Sequence, residues 1–267
     1  MWLKKGGTIF DSRPYAQVVY PQYREAVCHH CCSAPPSPGL GCAECQAAAY
    51  CSRRCLQAAA ATHALECALL EGAGEPAHPT ATLLLRVWLR WSAERRGDWG
   101  PFHEGEEGEL VPGRTVPRRF SDFMAHEEDI RRSSRMMRHI TKHYEALEAV
   151  LLDDMPNFQE FVQLYGMVVI NDFELTQSSG ELEGHSLGMA VYLAPSIVDH
   201  SCRPNADVEF LGSRLVMRSL VDRREKDVSN VFFSYIDEQE DQKRREYLKK
   251  FFFFDCQCDK CLENINI

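Results

Sequence analysis

The stretch Asp199-His200-Ser201-Cys202-Arg203-Pro204-Asn205 contains one cysteine, and no other cysteine lies within fifty residues on either side of it. The nearest candidates are Cys256, Cys258 and Cys261, spaced C-x-C-x2-C. That set is one thiolate short of the four that a closed tetrahedral zinc site needs, and Cys202 can supply the fourth. A metal shared in this way would pin the C-terminal tail over the His200–Ser201 turn. Two segments so distant in sequence, clasped at a polar turn, are expected to build a pocket between them.

Working outward, a second group of soft ligands lies near the start: Cys28, Cys31, Cys42, Cys45, Cys51, Cys55, His63 and Cys67. Their spacing, C-x2-C-x10-C-x2-C-x5-C-x3-C-x7-H-x3-C, supplies two complete four-ligand zinc sites. C-x2-C pairs present two sulfurs from one tight turn, whereas x3 spacings put two ligands on one helix face. The interleaving predicts a cross-brace, with Cys28, Cys31, Cys51 and Cys55 on one zinc and Cys42, Cys45, His63 and Cys67 on the other. The segment is rich in Ala, Gly and Pro, so metal must supply most of its folding energy. Cys32 is left over and reads as a buried bystander.

The remaining composition sets bounds. A chain of 267 residues, 45% apolar, can bury a large domain plus a small insert. No apolar run is long enough to cross a membrane, and the first ten residues lack a signal-peptide pattern. A reducing compartment, cytoplasmic or nuclear, is therefore expected, and it fits a chain in which eleven of the twelve cysteines read as metal ligands. A formal charge of −9 argues against direct nucleic-acid binding and suits either a basic protein partner or simple solubility.

In chain order, Thr8–Phe10 and Ala16–Tyr20 read as strands separated by a turn at Asp11–Pro14. Thr80 is expected to cap a helix carrying Leu83, Leu84, Val87, Trp88 and Trp91, with the aromatics in the core. Residues 97–117 read as a Gly- and acid-rich linker. One long helix is expected over 126–152, with Arg131, Arg132, Arg135 and Arg138 as a solvated face, and a second from Pro156 through Tyr165. From Met167 the texture changes to short strands: Met167–Ile170, Ala190–Tyr192, a hairpin of Ala206–Phe210 with Arg214–Met217-Arg218, and Val231–Tyr235. A charged helix over 239–250 precedes Phe251–Phe254, which must pack onto something to avoid aggregation.

The finger resembles the MYND zinc finger over residues 28–67, whose members take proline-containing peptides. The opening stretch resembles the N-H-S-C-x-P-N signature of SET-domain lysine methyltransferases, and Tyr235 falls at the position of that fold's catalytic tyrosine. The last three cysteines are similar to its post-SET zinc ligands. A MYND finger inserted ahead of a SET core is the arrangement of the SET- and MYND-domain methyltransferase family. The resemblance implies an α+β fold of short twisted sheets with a threaded, pseudoknot-like turn. It divides the chain into a truncated N-terminal part of the SET domain (1–27), the finger (28–67), a helical insertion (68–165), the core SET domain (166–237) and the post-SET zinc segment (238–267).

Functionally, the resemblance implies transfer of a methyl group from S-adenosyl-L-methionine to a lysine of a histone or another protein, by a monomer holding three Zn2+. Tyr235 would be catalytic. Asn171, Asp199, His200, Tyr235 and Phe254 would hold the cofactor, and Tyr192 and Phe252 would line the substrate channel. Asp199 replaces the family's asparagine, and Phe252 stands where many relatives have tyrosine. The usual G-E-E stretch gives way to residues 226–230, and the family's glycine-rich cofactor turn would lie upstream of Gly6. The alternative reading is an inactive or weak zinc-binding adaptor that recruits proline-containing peptides through its finger.

Overall fold

The computed structural model describes residues 2–33, 35–71, 78–97, 108–224, 228–237 and 240–263. The chain begins with strands β1 (Trp2–Leu3), β2 (Thr8–Ser12) and β3 (Ala16–Val19), followed by the finger and helices α1 (Arg53–Glu71) and α2 (Pro79–Arg96). Next come α3 (Glu127–Arg132), α4 (Ser134–Leu151) and α5 (Phe158–Val169), then β4 (Asp172–Thr176), β5 (Ser186–Val191) and β6 (Asp199–His200). Strands β7 (Ala206–Leu211), β8 (Arg214–Ser219), β9 (Arg223–Arg224) and β10 (Phe232–Phe233) lead to α6 (Asp241–Phe252) and α7 (Asp259–Glu263).

The strands form small separate sheets, as the α+β expectation required. Antiparallel β2-β8-β7 and β3-β5-β4 are three-stranded, β1 pairs with β9, and β6 runs parallel to β10. The β7–β8 hairpin turns at Gly212, whose φ of +65° only glycine adopts without strain. One core fills the space between α2, α4, α5 and β3, with Leu83, Leu84, Ile140, Leu147 and Phe161 buried. Another lies between the sheets, around Phe10, Tyr192, Leu215 and Met217.

Several local expectations are corrected. His78, not Thr80, caps α2: its side chain accepts from the Thr80 N–H, with Pro79 in the first helical turn and left-handed Gly97 closing the other end. The helix expected over 126–152 breaks at Ser133, which has extended backbone and caps α4 by accepting from the Met136 N–H. Met167–Val169 is not a strand but the end of α5, because a short run buried on all sides has no period to distinguish the two states. Strand β2 extends through Ser12, and only Phe232–Phe233 of the expected Val231–Tyr235 strand pairs. Helix α1 continues past Cys67 and α5 past Tyr165, so both cross the anticipated domain borders. Residues 98–107 of the acidic linker and 226–227 before the tyrosine strand lie outside the described residues.

Trp88 is buried and Trp91 packs edge-on to Phe120 at 5.4 Å, so these aromatics serve the core. His143 is 7% exposed between His78, His139 and Tyr165. Burial, then the two neighbouring imidazoles, pushes it down to about 4. An unfolded histidine titrates near 6.5 and so binds its proton first as pH falls. This group's contribution to stability is thus intact above pH 6.5 and shrinks toward pH 4. Between pH 7.5 and 5.0, urea denaturation is expected to show wild type losing about 2 kcal/mol more than His143→Leu does; equal losses in the two proteins would contradict it.

Candidate active site and its metal clusters

Among the described residues, three groups of soft ligands converge: Cys28, Cys31, Cys51 and Cys55; Cys42, Cys45, His63 and Cys67; and Cys202, Cys256, Cys258 and Cys261. The grouping is the one read from the spacing, the interleaved cross-brace included. Zinc–sulfur bonds of about 2.3 Å in a tetrahedron require sulfurs about 3.8 Å apart. The Cys31–Cys51, Cys42–Cys67 and Cys202–Cys256 sulfurs are separated by 3.7, 3.7 and 3.8 Å, and Cys202 lies 3.6 Å from Cys261. The spacing suits zinc, and Zn2+ in each cluster would neutralise thiolates that otherwise repel. Elemental analysis of pure protein is expected to return three zinc ions per chain, one per cluster; two or fewer would remove a cluster from the zinc reading.

The third cluster ties the tail to an interlocked turn. The loop 201–205 hydrogen-bonds to β10 through Ser201 N–H to the Phe233 carbonyl and Asn205 N–H to the Phe232 carbonyl, both 3.0 Å. The Asn205 carboxamide completes the lock by accepting from Phe232 N–H at 2.9 Å and donating to the Asn230 carbonyl at 2.7 Å. A short polar side chain here imitates a strand edge, which accounts for an asparagine after Pro204. His200 Nδ1 accepts from the Tyr235 N–H at 3.0 Å, and its Nε2 lies 3.2 Å from the Cys202 sulfur. Nε2 therefore carries the proton and donates it toward sulfur. Burial, with Arg244 adding its charge, pushes this imidazole down to about 4, so it is neutral.

Arg244 is the functional residue that reading the sequence missed. It is 2% exposed, and its guanidinium donates to the Cys202 and Cys261 sulfurs at 3.0 and 3.8 Å. A zinc held by four thiolates carries two net negative charges, and this cation offsets part of them. In sequence it looked like one more charge on a solvated helix. The available signal was its helical spacing, since Arg244, buried Leu248 and Phe252 share one face of α6.

Beside the cluster opens a cleft of about 890 Å³, within the usual size of small-molecule sites. Asn171, Asp199, His200, Tyr235, Phe252 and Phe254 all line it. Tyr235 packs against Phe252, Phe233 and Phe254, with centroids 5.1, 4.9 and 6.4 Å away. Its hydroxyl donates to the Val198 carbonyl at 2.8 Å, and burial, then the Asp199 charge, raises its pKa, so it stays protonated. The Asn171 amide nitrogen donates to the Met124 and Met167 carbonyls.

Tyr192 is the exception and is corrected. It is fully buried in the inter-sheet core, with its hydroxyl donating to the Ser213 carbonyl at 2.6 Å and its ring edge-on to Phe173. The alternating pattern of β5 continues through it and turns it inward, away from the cleft. Of the phenylalanine run, Phe252 and Phe254 face the cleft and Phe253 packs tilted against His126, with ring centroids 5.6 Å apart, but Phe251 is 39% exposed and leans on Tyr247. The opposite wall, including Arg118, Met124 and His126, was not anticipated. It is seated by Gly166 of α5, where a Cβ would run into the Ala125 carbonyl.

No protein-family model matches the chain. Curated relatives do. The chain is 24% identical over 262 residues to the histone-lysine N-methyltransferase SMYD3 of Mus musculus, covering 97% of this chain and 57% of that protein. It is 28% identical over 265 residues to the N-lysine methyltransferase SMYD2-B of Danio rerio, covering 96% and 55%, and 26% identical over 278 residues to the histone-lysine N-methyltransferase Smyd1 of Mus musculus, covering 96% and 51%. Over nearly its whole length the chain is similar to SET- and MYND-domain lysine methyltransferases. It spans just over half the length of these relatives. In those relatives' terms, the first two clusters fit a MYND finger and the third a post-SET zinc site. No helix among the described residues is long and apolar enough to cross a membrane.

Proposed function

We propose that this chain transfers a methyl group from S-adenosyl-L-methionine to a lysine side chain of a histone or another basic protein. The observation that carries the reading is the cleft, in which Tyr235, the interlocked turn and the tail that bears Cys256, Cys258 and Cys261 contribute to one surface. The residues present suit the cofactor. Asn171 spends its amide N–H groups on main-chain carbonyls, which leaves its carbonyl oxygen to accept from an ammonium, and the Asp199 carboxylate can do the same. The faces of Phe252, Phe254 and Tyr235 suit a flat base or a cationic centre. Bound S-adenosylmethionine would supply an electrophilic sulfonium methyl.

The remaining work belongs to the protein. The aromatic walls exclude water and favour a neutral lysine amine, whose reference pKa is about 10.4, so that its lone pair is available for attack. The Tyr235 hydroxyl spends its proton on the Val198 carbonyl, which leaves the phenolic lone pairs free, and they would accept from a polarised methyl group held in the cleft. His200 holds the tyrosine's main chain in register and anchors it to the Cys202 side of the clasp. Catalysis is thus largely alignment of two reactants in a dry site. Incubation of metallated protein with labelled cofactor and a panel of histones and lysates tests the reading. Label in a lysine is expected, and its absence from every substrate with protein that binds the cofactor would set the transfer reading aside.

A further inference from the structure

The finger's second cluster is wired to the SET core through buried charge. His63 presents Nε2 to the cluster, 3.7 Å from the Cys45 sulfur, so Nε2 is its ligand atom and Nδ1 must carry the proton. That Nδ1 is buried and makes no conventional hydrogen bond, yet it lies 3.5 Å from Glu66 Oε1, one turn along α1. Glu66 is 1% exposed, and a carboxylate so buried must be paired. It takes both oxygens to Arg86 of α2, at 2.6 Å each. Arg86 then donates to the Gln17 carbonyl of β3, and the Gln17 side chain donates back to the His30 carbonyl at 2.8 Å, between Cys28 and Cys31 of the first cluster. The chain of contacts is closed: it leaves the finger at His63 and re-enters it at His30.

We infer that Glu66 is a positioning residue for the His63 metal ligand and, through Arg86 and Gln17, the strut that holds the finger on the SET core. Loss of Glu66 is then expected to loosen the imidazole ligand and, through Arg86 and Gln17, the docking of the finger. An outer carboxylate fixes the imidazole's orientation and raises its basicity toward the metal, and such groups are commonly worth 10–100-fold in metal affinity. The inference rests on the zinc reading of the clusters and not on methyl transfer, so a chain without transferase activity would leave it standing.

The test is release of zinc from the fully metallated chain to a chromogenic chelator, with hydrogen exchange of residues 16–19 followed in parallel. Glu66→Gln is expected to release one of the three ions about 10–100-fold faster, leave the other two at wild-type rates, and speed exchange in β3. In a His63→Cys background, where a thiolate replaces the imidazole, Glu66→Gln is expected to add no acceleration. Unchanged release, equal acceleration in both backgrounds, or undisturbed exchange at 16–19 would each overturn the inference. Should Glu66→Gln fail to fold, Glu66→Asp, which withdraws the carboxylate by one methylene, is read in the same way.

Discussion

Cys202→Ser is expected to lose one zinc ion per chain and to abolish methyl transfer while the two finger clusters keep their metal. The tail's own apolar cluster is small: Leu248, Cys256 and Cys261 are its buried members. Its exposed ion pair, Arg203 with Glu263, adds little in water. The metal must therefore provide most of the ordering energy, and structural zinc contributes on the order of 10 kcal/mol or more in small domains. Release of the tail withdraws Phe252 and Phe254 from Tyr235 and opens one wall of the cleft. A misplacement of about 1 Å already costs on the order of 10²-fold in rate, so removal of a wall exceeds that. Metal analysis, limited proteolysis between 237 and 263 and transfer assays check the three parts together. Full zinc content with wild-type rates would dismiss the clasp.

Tyr235→Phe separates chemistry from architecture. Its ring contacts with Phe233, Phe252 and Phe254 survive the change, so the cleft keeps its walls. The Val198 carbonyl loses its donor, at a cost of about 1 kcal/mol of stability. What disappears is a fixed phenolic oxygen in the cleft. Removal of one prearranged polar group of this kind lowers turnover by about 10²–10³-fold. Because the loss falls on the transition state, kcat and kcat/KM should drop together while cofactor affinity stays nearly unchanged. Wild-type turnover in the variant would take Tyr235 out of the mechanism.

What could be read from the residues alone divides along physical lines. Metal ligands were the most readable feature, because coordination demands specific side chains at specific spacings and tolerates few alternatives. That is why Cys202 could be assigned to three cysteines more than fifty residues away, and why the cross-brace pairing holds. The β7–β8 hairpin was readable for a similar reason, since Gly212 marks a turn few residues can make. Segments whose state depends on their neighbours were not. Met167–Val169 is apolar enough for a strand or a buried helix, and packing on α2 and α4 decided for the helix. Tyr192 and Tyr235 are both tyrosines near strand ends, yet one closes a core on the Ser213 carbonyl and the other faces the cleft. Arg244 looks like solvent charge until Cys202 and Cys261 are brought beside it.

The central claim is that zinc at the third cluster creates a pocket for S-adenosylmethionine. Calorimetric titration of that cofactor into fully metallated protein tests it directly, with Cys202→Ser titrated alongside. Saturable binding at one site per chain is expected in wild type and none in the variant. Fully metallated wild-type protein that takes up no cofactor, or a variant that binds it equally well, would contradict the claim.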